Sequence, residues 1–130
     1  MGEGVPTLTA PATASLPLFI YGTLHPDRAP REIAAVARQL KPLGPVTIRG
    51  RILDLGEYPG LVLADANDSQ AQIVPGELFA VPDLATLAEL DRYEDFRAND
   101  PEASRFLRVE ALAMLTDGSR LPCWVYVYNR

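Results

Sequence analysis

Glu94 is the residue whose position in the sequence most clearly suggests chemistry. It follows Leu87 by seven residues and Leu90 by four, so on a helix the three side chains share one face. That face is apolar and should meet the core, where a carboxylate is costly unless it is paired or its pKa rises. Carboxylates with a raised pKa are common general acids and bases. The alternative is that Glu94 lies at a frayed helix end and reaches water.

A second candidate is the segment Tyr21, Gly22, Thr23 and Leu24, where an apolar strand opens into a loop. Glycine lets the backbone approach a ligand closely, and successive N–H groups can bind an anion. The same glycine could also simply end the strand in a turn. The glycine spacing of Walker and dinucleotide-binding loops is missing, so the segment predicts no nucleotide site.

Other reactive side chains are few. The sequence contains one histidine, His25, and one cysteine, Cys123, which excludes a zinc site built from Cys and His ligands. We interpret His25 as an ordinary loop residue and Cys123 as a small buried side chain. Arg108 shares one face of its predicted strand with Glu110, and it could pair with Glu110 or bind a ligand carboxylate.

Composition predicts a single cytoplasmic domain. The chain has 130 residues, 48% of them hydrophobic, and a net charge of -5. An acidic chain is a poor partner for nucleic acid and for anionic membranes. No apolar run spans a bilayer, and the first residues lack the basic start and apolar centre of a signal peptide. We predict a disordered tail over residues 1–15 and one domain over residues 16–130.

The predicted elements follow the order β, α, β, β, β, α, β, β, which is not the alternation of a doubly wound sheet and favours an α+β domain. Strands are predicted over residues 16–23, 46–55, 61–64, 71–81, 106–115 and 121–128, and helices from Pro30 to Leu40 and over residues 84–94 with Asp83 as N-cap. Turns are predicted at Tyr58-Pro59-Gly60 and at Asp117-Gly118, and Pro75-Gly76 suggests a bulge or an edge.

Several segments together resemble the γ-glutamylcyclotransferase-like family, which includes the avirulence-induced-gene-like (AIG2-like) proteins. They are Phe19–Leu24, Tyr58–Gly60, Gly76–Phe79, Leu90–Glu94, Arg108–Val109 and Trp124–Tyr128. The resemblance runs from about Leu16 to Tyr128, and it implies a small mixed β-barrel with two main helices packed beside it. The chain departs from the family at Asp95, where a glycine is frequent, and at Phe106, where a tyrosine is expected.

The resemblance implies an enzyme that releases 5-oxoproline and a free amine or amino acid from a γ-glutamyl compound. Glu94 is the implied catalytic residue, and the implied substrate-binding residues are Tyr21, Gly22, Thr23, Leu24, Tyr58 and Arg108. Such a reaction needs no metal and no cofactor. The expected partner is a small γ-glutamyl substrate, and the expected state is a monomer or weak homodimer. Two alternatives stay open, namely another cyclotransferase-type activity on the same scaffold, and a non-catalytic ligand-binding or stress-associated module.

Overall fold

A computed structural model describes residues 16–21, 29–56, 59–65 and 67–129. The predicted tail at residues 1–15 lies outside the described residues, as do Gly22, Thr23, Leu24, His25 and Tyr58. The described elements are β1 (Leu18–Ile20), α1 (Arg31–Ala37), β2 (Lys41–Asp54), β3 (Pro59–Leu63), β4 (Gln72–Ala80), α2 (Leu84–Tyr93), a 3-10 turn (Pro101–Ala103), β5 (Phe106–Leu115) and β6 (Arg120–Tyr128).

Five of the strands close into a barrel. They pair in the order β2-β4-β1-β6-β5, and β5 returns to β2 through the pairs Val46↔Leu115 and Thr47↔Met114. Strand β3 pairs with the later half of β2 as a sixth strand. The β1–β6 pairing is parallel and the other described pairings are antiparallel. The structure therefore confirms the α+β class and the small mixed barrel with two helices beside it.

Side-chain alternation divides the core into two layers, because successive residues of a strand point to opposite faces. In β1, Phe19 points into the barrel, whereas Leu18 and Ile20 point outward against the helices. The barrel interior consists of Phe19, Val46, Ile48, Leu61, Val74, Leu78, Ala113, Cys123, Val125 and Val127. The outer layer consists of Leu18, Ile20, Ile33, Leu40, Phe79, Val81, Leu87, Leu90, Phe106 and Tyr126.

Helix α2 lies on this outer layer through Leu87 and Leu90, as its apolar spacing predicts. It begins at the predicted N-cap, where the Asp83 carboxylate accepts hydrogen bonds from the Thr86 N–H at 2.8 Å and the Thr86 hydroxyl at 2.7 Å. The first turn of α2 is therefore stabilised by its own N-cap residue. Within the described ranges, neither helix is long and apolar enough to cross a membrane.

The connection between α1 and β2 differs from its prediction. Pro30 is the N-cap rather than the first helical residue, and α1 ends at Ala37, three residues earlier than expected. The strand that follows starts at Lys41 rather than Val46. A bulge between Pro42 and Gly44 carries the chain through these breaker residues, and Gly44 has a φ of +126° that favours glycine.

One prediction built on a Pro-Gly pair was wrong, and a second holds in only one of its two alternatives. Pro59 and Gly60 begin β3 instead of forming a turn, and a Cβ at Gly60 would lie 2.7 Å from Leu55 Cδ1, so the glycine serves a close approach. Pro75 and Gly76 pair with β2 in regular register rather than at a bulge. The alternative of an edge fits better, because β1 pairs with β4 only at residues 77–79.

The hairpin at Asp117-Gly118 is confirmed. Strands β5 and β6 pair from Phe106↔Tyr128 to Met114↔Arg120, and Gly118 has a φ of +91° in the turn between them. This hairpin faces α2 with Tyr126 and with residues of β5, and it forms the other wall of the region around Glu94.

Candidate active site

Glu94 is the C-cap of α2, and its N–H donates to the Leu90 carbonyl at 3.0 Å. The side chain is partly buried, so it is not the fully solvated helix end of the alternative interpretation. Burial raises the pKa of the Glu94 carboxyl to about 7, because loss of water disfavours the charged form. A carboxyl with such a pKa can both accept and donate a proton near neutral pH.

The backbone after Glu94 forms a Schellman motif, in which the chain reverses at the end of a helix. The Asp95 N–H donates to the Arg92 carbonyl at 3.2 Å, and the Phe96 N–H donates to the Asp91 carbonyl at 2.9 Å. Asp95 has a φ of +58°, the left-handed conformation that glycine adopts most easily. The position where the resembled family often has glycine therefore keeps the glycine-type backbone, with aspartate in it.

The loop that follows is anchored to the barrel. The Arg105 N–H donates to the Asp95 carbonyl at 3.0 Å, and the buried Ser104 hydroxyl accepts from the Arg97 N–H at 2.8 Å. Asn129, directly after β6, donates to the Ser104 carbonyl at 2.8 Å. These bonds hold the loop between α2 and β5, so the helix end that carries Glu94 is fixed on both sides.

Tyr21 lies close to Glu94 and packs against the interior of the barrel. Its hydroxyl donates to the Tyr126 carbonyl at 2.9 Å and accepts from the Leu61 N–H at 3.0 Å, so it bridges β6 and β3. Burial raises the pKa of the Tyr21 phenol, and the negative charge of Glu94 raises it further. The Tyr21 hydroxyl is thus engaged within the chain, which leaves the backbone of the predicted loop as the part that could bind a ligand.

Arg108 is engaged within the chain as well. Its Nε and Nη2 donate to Asp91 Oδ1 and Oδ2 at 2.7 and 3.1 Å, and its guanidinium carbon lies 4.4 Å from the centre of the Trp124 ring. Of the two alternatives that the sequence left open for Arg108, pairing with Glu110 is not the one found, since Asp91 is its partner. The expected contact with a substrate carboxylate stays a prediction, and this arginine would need to leave Asp91 or bind with its remaining donors to make it.

Sequence reasoning missed two members of this cluster, Asp91 and the side chain of Tyr126. The Tyr126 hydroxyl donates to Asp91 Oδ1 at 2.7 Å, alongside the bonds from Arg108. Burial raises the pKa of Tyr126 most, and the charges of Asp91 and Glu94 add to that effect. The sequence could have indicated Asp91, because it precedes Glu94 by three residues on a helix and this spacing places both carboxylates at neighbouring positions of one face.

Other predicted residues lie elsewhere or outside the description. Cys123 is fully buried in the barrel interior, and burial raises the pKa of its thiol to about 12, so it is a packing residue as predicted. Gly22, Thr23, Leu24 and Tyr58 lie outside the described residues. Among the described side chains, no three His, Cys, Asp or Glu residues are grouped so that they could hold a metal ion.

An open groove of about 840 Å³ begins at Asp95, the residue after Glu94. It runs between the segment that precedes β3, the loop before β5 and the end of β6. Its lining is Leu55, Gly56, Asp95, Ala103, Arg105, Tyr128 and Asn129. The groove combines charged, amide and aromatic groups, which suits a small polar ligand.

The structure thus combines a mixed barrel with a partly buried glutamate at the end of its second helix. A family model described as "Gamma-glutamyl cyclotransferase, AIG2-like" matches residues 18–130, and the chain belongs to that family. The resemblance read from the sequence is therefore confirmed. No curated protein matches the chain.

Solved structures share the fold. An AIG2-like protein from Mus musculus is 21% identical with a TM-score of 0.66, over 86% of this chain and 76% of its own. YkqA from Bacillus subtilis is 18% identical with a TM-score of 0.64, over 88% of this chain, which spans only 36% of that longer protein. A γ-glutamyl cyclotransferase is 12% identical with a TM-score of 0.61, over 88% of this chain and 67% of its own.

Proposed function

We propose that this protein is a γ-glutamylcyclotransferase that releases 5-oxoproline and a free amine or amino acid from a small γ-glutamyl compound. Family membership supports the reaction type, and the observation that carries the proposal is the Glu94 carboxyl, whose burial raises its pKa to about 7. The solved structures, all at low identity, support the fold and not the activity.

In the proposed reaction the α-amine of the substrate attacks its own γ-amide carbonyl. The C–N bond of a five-membered ring forms, the amide C–N bond breaks, and the amine leaves. Because nucleophile and electrophile belong to one molecule, the protein mainly has to hold the folded pose. At neutral pH the α-amine is an ammonium and cannot attack, so a base must first remove a proton.

Glu94 would supply this proton transfer in both directions. Its carboxylate takes a proton from the ammonium, and the resulting carboxylic acid donates that proton to the departing nitrogen as the amide bond breaks. The ring nitrogen then carries one proton more than the lactam needs, and the restored Glu94 carboxylate removes it. A pKa of about 7 suits both steps, since an ordinary glutamate would be too weak a base. The reaction as written needs no metal, cofactor or covalent intermediate.

The substrate would be held from two directions. Backbone N–H groups of Tyr21, Gly22, Thr23 and Leu24 would bind the α-carboxylate or the tetrahedral oxyanion, as the family resemblance implies. The amine portion would extend into the groove that begins at Asp95, whose mixed polar lining could accommodate it. Tyr58 is the further substrate-binding residue that the family resemblance implies.

The test is release of 5-oxoproline from a panel of γ-glutamyl amines and γ-glutamyl amino acids, with quantification of the released amine. We expect equimolar 5-oxoproline and amine from at least one class. Tight binding of a γ-glutamyl compound without turnover would contradict the proposal and would favour a binding module. Release of glutamate in place of 5-oxoproline would also contradict it, because water rather than the α-amine would then be the nucleophile.

A further inference from the structure

We propose that the Asp91–Arg108 ion pair, completed by the Tyr126 hydroxyl, is a positioning device that fixes the location of the Glu94 carboxyl and keeps its surroundings free of net charge. The inference rests on the proposed function only where it concerns turnover. It assigns Asp91 and Arg108 a role in this protein that differs from direct contact with substrate.

The geometry of the pair is that of a fixed unit. Asp91 receives three hydrogen bonds, from Arg108 Nε at 2.7 Å, from Arg108 Nη2 at 3.1 Å and from the Tyr126 hydroxyl at 2.7 Å. The guanidinium lies 4.4 Å from the Trp124 ring centre and 5.5 Å from the Phe96 ring centre. A two-pronged arginine–carboxylate contact between aromatic rings holds one orientation more strictly than a single hydrogen bond would.

The pair is shielded from water, which makes it unlike an ordinary surface ion pair. The Arg108 side chain is 12% exposed and the Asp91 side chain is 19% exposed. Taking both charges out of water costs free energy that their attraction offsets only in good geometry, so such pairs contribute little to stability. A gain in stability therefore does not explain why this ion pair is present, and its place in the fold suggests a different role.

Asp91 lies in the last turn of α2, three residues before Glu94, and its carbonyl also accepts the Phe96 N–H of the Schellman motif. Arg108 lies on β5 and Tyr126 on β6. The contact thus ties the final helical turn to the hairpin that faces it. Movement of this turn would displace Glu94, so the pair limits where the carboxyl can be.

The pair also governs charge around Glu94. Tyr21 after β1 and Tyr126 on β6 lie close enough to this carboxyl for its charge to raise their pKa values, and the Tyr126 hydroxyl connects to Asp91 on α2, which binds Arg108 on β5. Both phenols are neutral at neutral pH because burial raises their pKa. Asp91 and Arg108 carry opposite charges in direct contact, so together they add no net charge beside Tyr126, and burial is what raises the pKa of Glu94.

Four variants separate charge from position: Asp91→Asn, Arg108→Gln, the double variant, and Arg108→Lys. In each, the Glu94 carboxyl is titrated through its ¹³C resonance, and kcat and KM are measured on a substrate of the wild type. Asp91→Asn leaves an uncompensated cation and should lower the pKa of Glu94 by about one unit, whereas Arg108→Gln leaves an anion and should raise it by about one unit. The double variant should return it to the wild-type value.

Kinetics distinguish positioning from substrate binding. We expect kcat to fall by about tenfold or more in both single variants, with KM changed by less than about threefold. Arg108→Lys keeps the charge and loses the two-pronged contact, so the pKa of Glu94 should stay at the wild-type value while kcat falls. This variant also decides the matter if the charge-changing ones do not fold.

Two results would overturn the inference. One is a pKa of Glu94 that is the same in Asp91→Asn and Arg108→Gln, and the other is a raised KM with unchanged kcat in Arg108→Lys, which would make Arg108 a substrate ligand. The titrations do not depend on activity. A protein without cyclotransferase activity would therefore defeat the proposed function while the charge arm of this test still gave its answer.

Discussion

The Glu94 carboxyl lies one helical turn beyond the Asp91 carboxyl, and the two have different electrostatic surroundings. Asp91 is bound by the Arg108 guanidinium through two hydrogen bonds. Burial raises the pKa of Glu94 to about 7. One carboxyl of the pair is therefore bound by a cationic partner, and the other is able to exchange a proton near neutral pH.

The first prediction concerns turnover. Glu94→Gln keeps the shape of the side chain and removes its ability to carry a proton, so kcat for 5-oxoproline release should fall by about 100-fold or more. Glu89→Gln is the matched control, because it makes the same change on an exposed position of α2 whose carboxylate pairs with Arg92. Near-normal turnover in Glu94→Gln would remove Glu94 from the mechanism.

The pH dependence of the reaction should follow the same group. Because the carboxylate form of Glu94 accepts the first proton, kcat/KM should decline on the acid side with an apparent pKa of about 7. The measurement is kcat/KM between pH 5 and 8, with circular dichroism at each pH to show that the fold is intact. A constant rate down to pH 5 would mean that Glu94 is not the base.

Stability should depend on pH through Glu94 as well. Its pKa is higher in the folded chain, at about 7, than the ordinary value of 4.5 expected on unfolding. Its contribution is therefore fully present below about pH 4.5 and is lost as the pH rises through about 7. One pKa unit corresponds to about 1.4 kcal/mol. Because Glu94 is partly exposed, the effect on stability is smaller than the full pKa shift would give. We expect the free energy of unfolding of Glu94→Gln, relative to that of the wild type, to be about 2 kcal/mol higher at pH 8 than at pH 5.

Urea unfolding of both proteins at the two pH values measures this difference. Glu89→Gln, which makes the same change at a half-exposed position of α2, is the matched control. If Glu94→Gln and the wild type differed in free energy of unfolding by the same amount at pH 5 and at pH 8, the raised pKa of Glu94 would be contradicted.

Replacement of Asp95 by glycine should stabilise the fold. Asp95 has a φ of +58°, which costs an ordinary side chain free energy that glycine avoids. We expect Asp95→Gly to raise the free energy of unfolding by about 0.5 to 1 kcal/mol. Asp100→Gly is the control, because Asp100 has a φ of -152° and glycine there should only destabilise. Thermal unfolding of both variants gives the comparison, and a destabilised Asp95→Gly would refute the argument from backbone strain.

Loss of the Tyr21 hydroxyl should weaken the barrel. Tyr21→Phe leaves the Leu61 N–H and the Tyr126 carbonyl without this partner, and we expect a loss of about 1 to 3 kcal/mol in the free energy of unfolding. Tyr128→Phe makes the same change on a ring that packs edge-on against Phe106, and its hydroxyl has no hydrogen-bond partner within the described ranges. Equal effects of the two substitutions would show that the bridge between β3 and β6 contributes little.

The sequence predicts the parts of the fold that depend on local patterns. The Asp117-Gly118 turn, the Asp83 N-cap and the position of Glu94 relative to Leu87 and Leu90 all follow from neighbours within a few residues. The start of β2 was missed for the same reason. Proline and glycine near Gly44 favour a break locally, but pairing with β4 across a bulge outweighs that preference.

The missed parts of the site join residues that are far apart in the sequence. Arg108 meets Asp91 across 17 residues, and Tyr126 meets it across 35. Glu110 was an equally reasonable partner for Arg108, because strand alternation places both on one face. Only the closure of the barrel and the docking of α2 decide between the two carboxylates, and neither can be read from local periodicity.

The parallel pairing of β1 with β6 has a consequence for the order in which the domain can form. Strand β1 is the first of the described strands to be synthesised, yet one of its two neighbours, β6, is the last. During synthesis on the ribosome, β1 can therefore pair only with β4 until more than a hundred further residues have been made. Arg108 and Tyr126 also emerge late, so the surroundings of Glu94 assemble in the same final step that closes the barrel. Such dependence on distant contacts favours slow, all-or-none folding over gradual assembly.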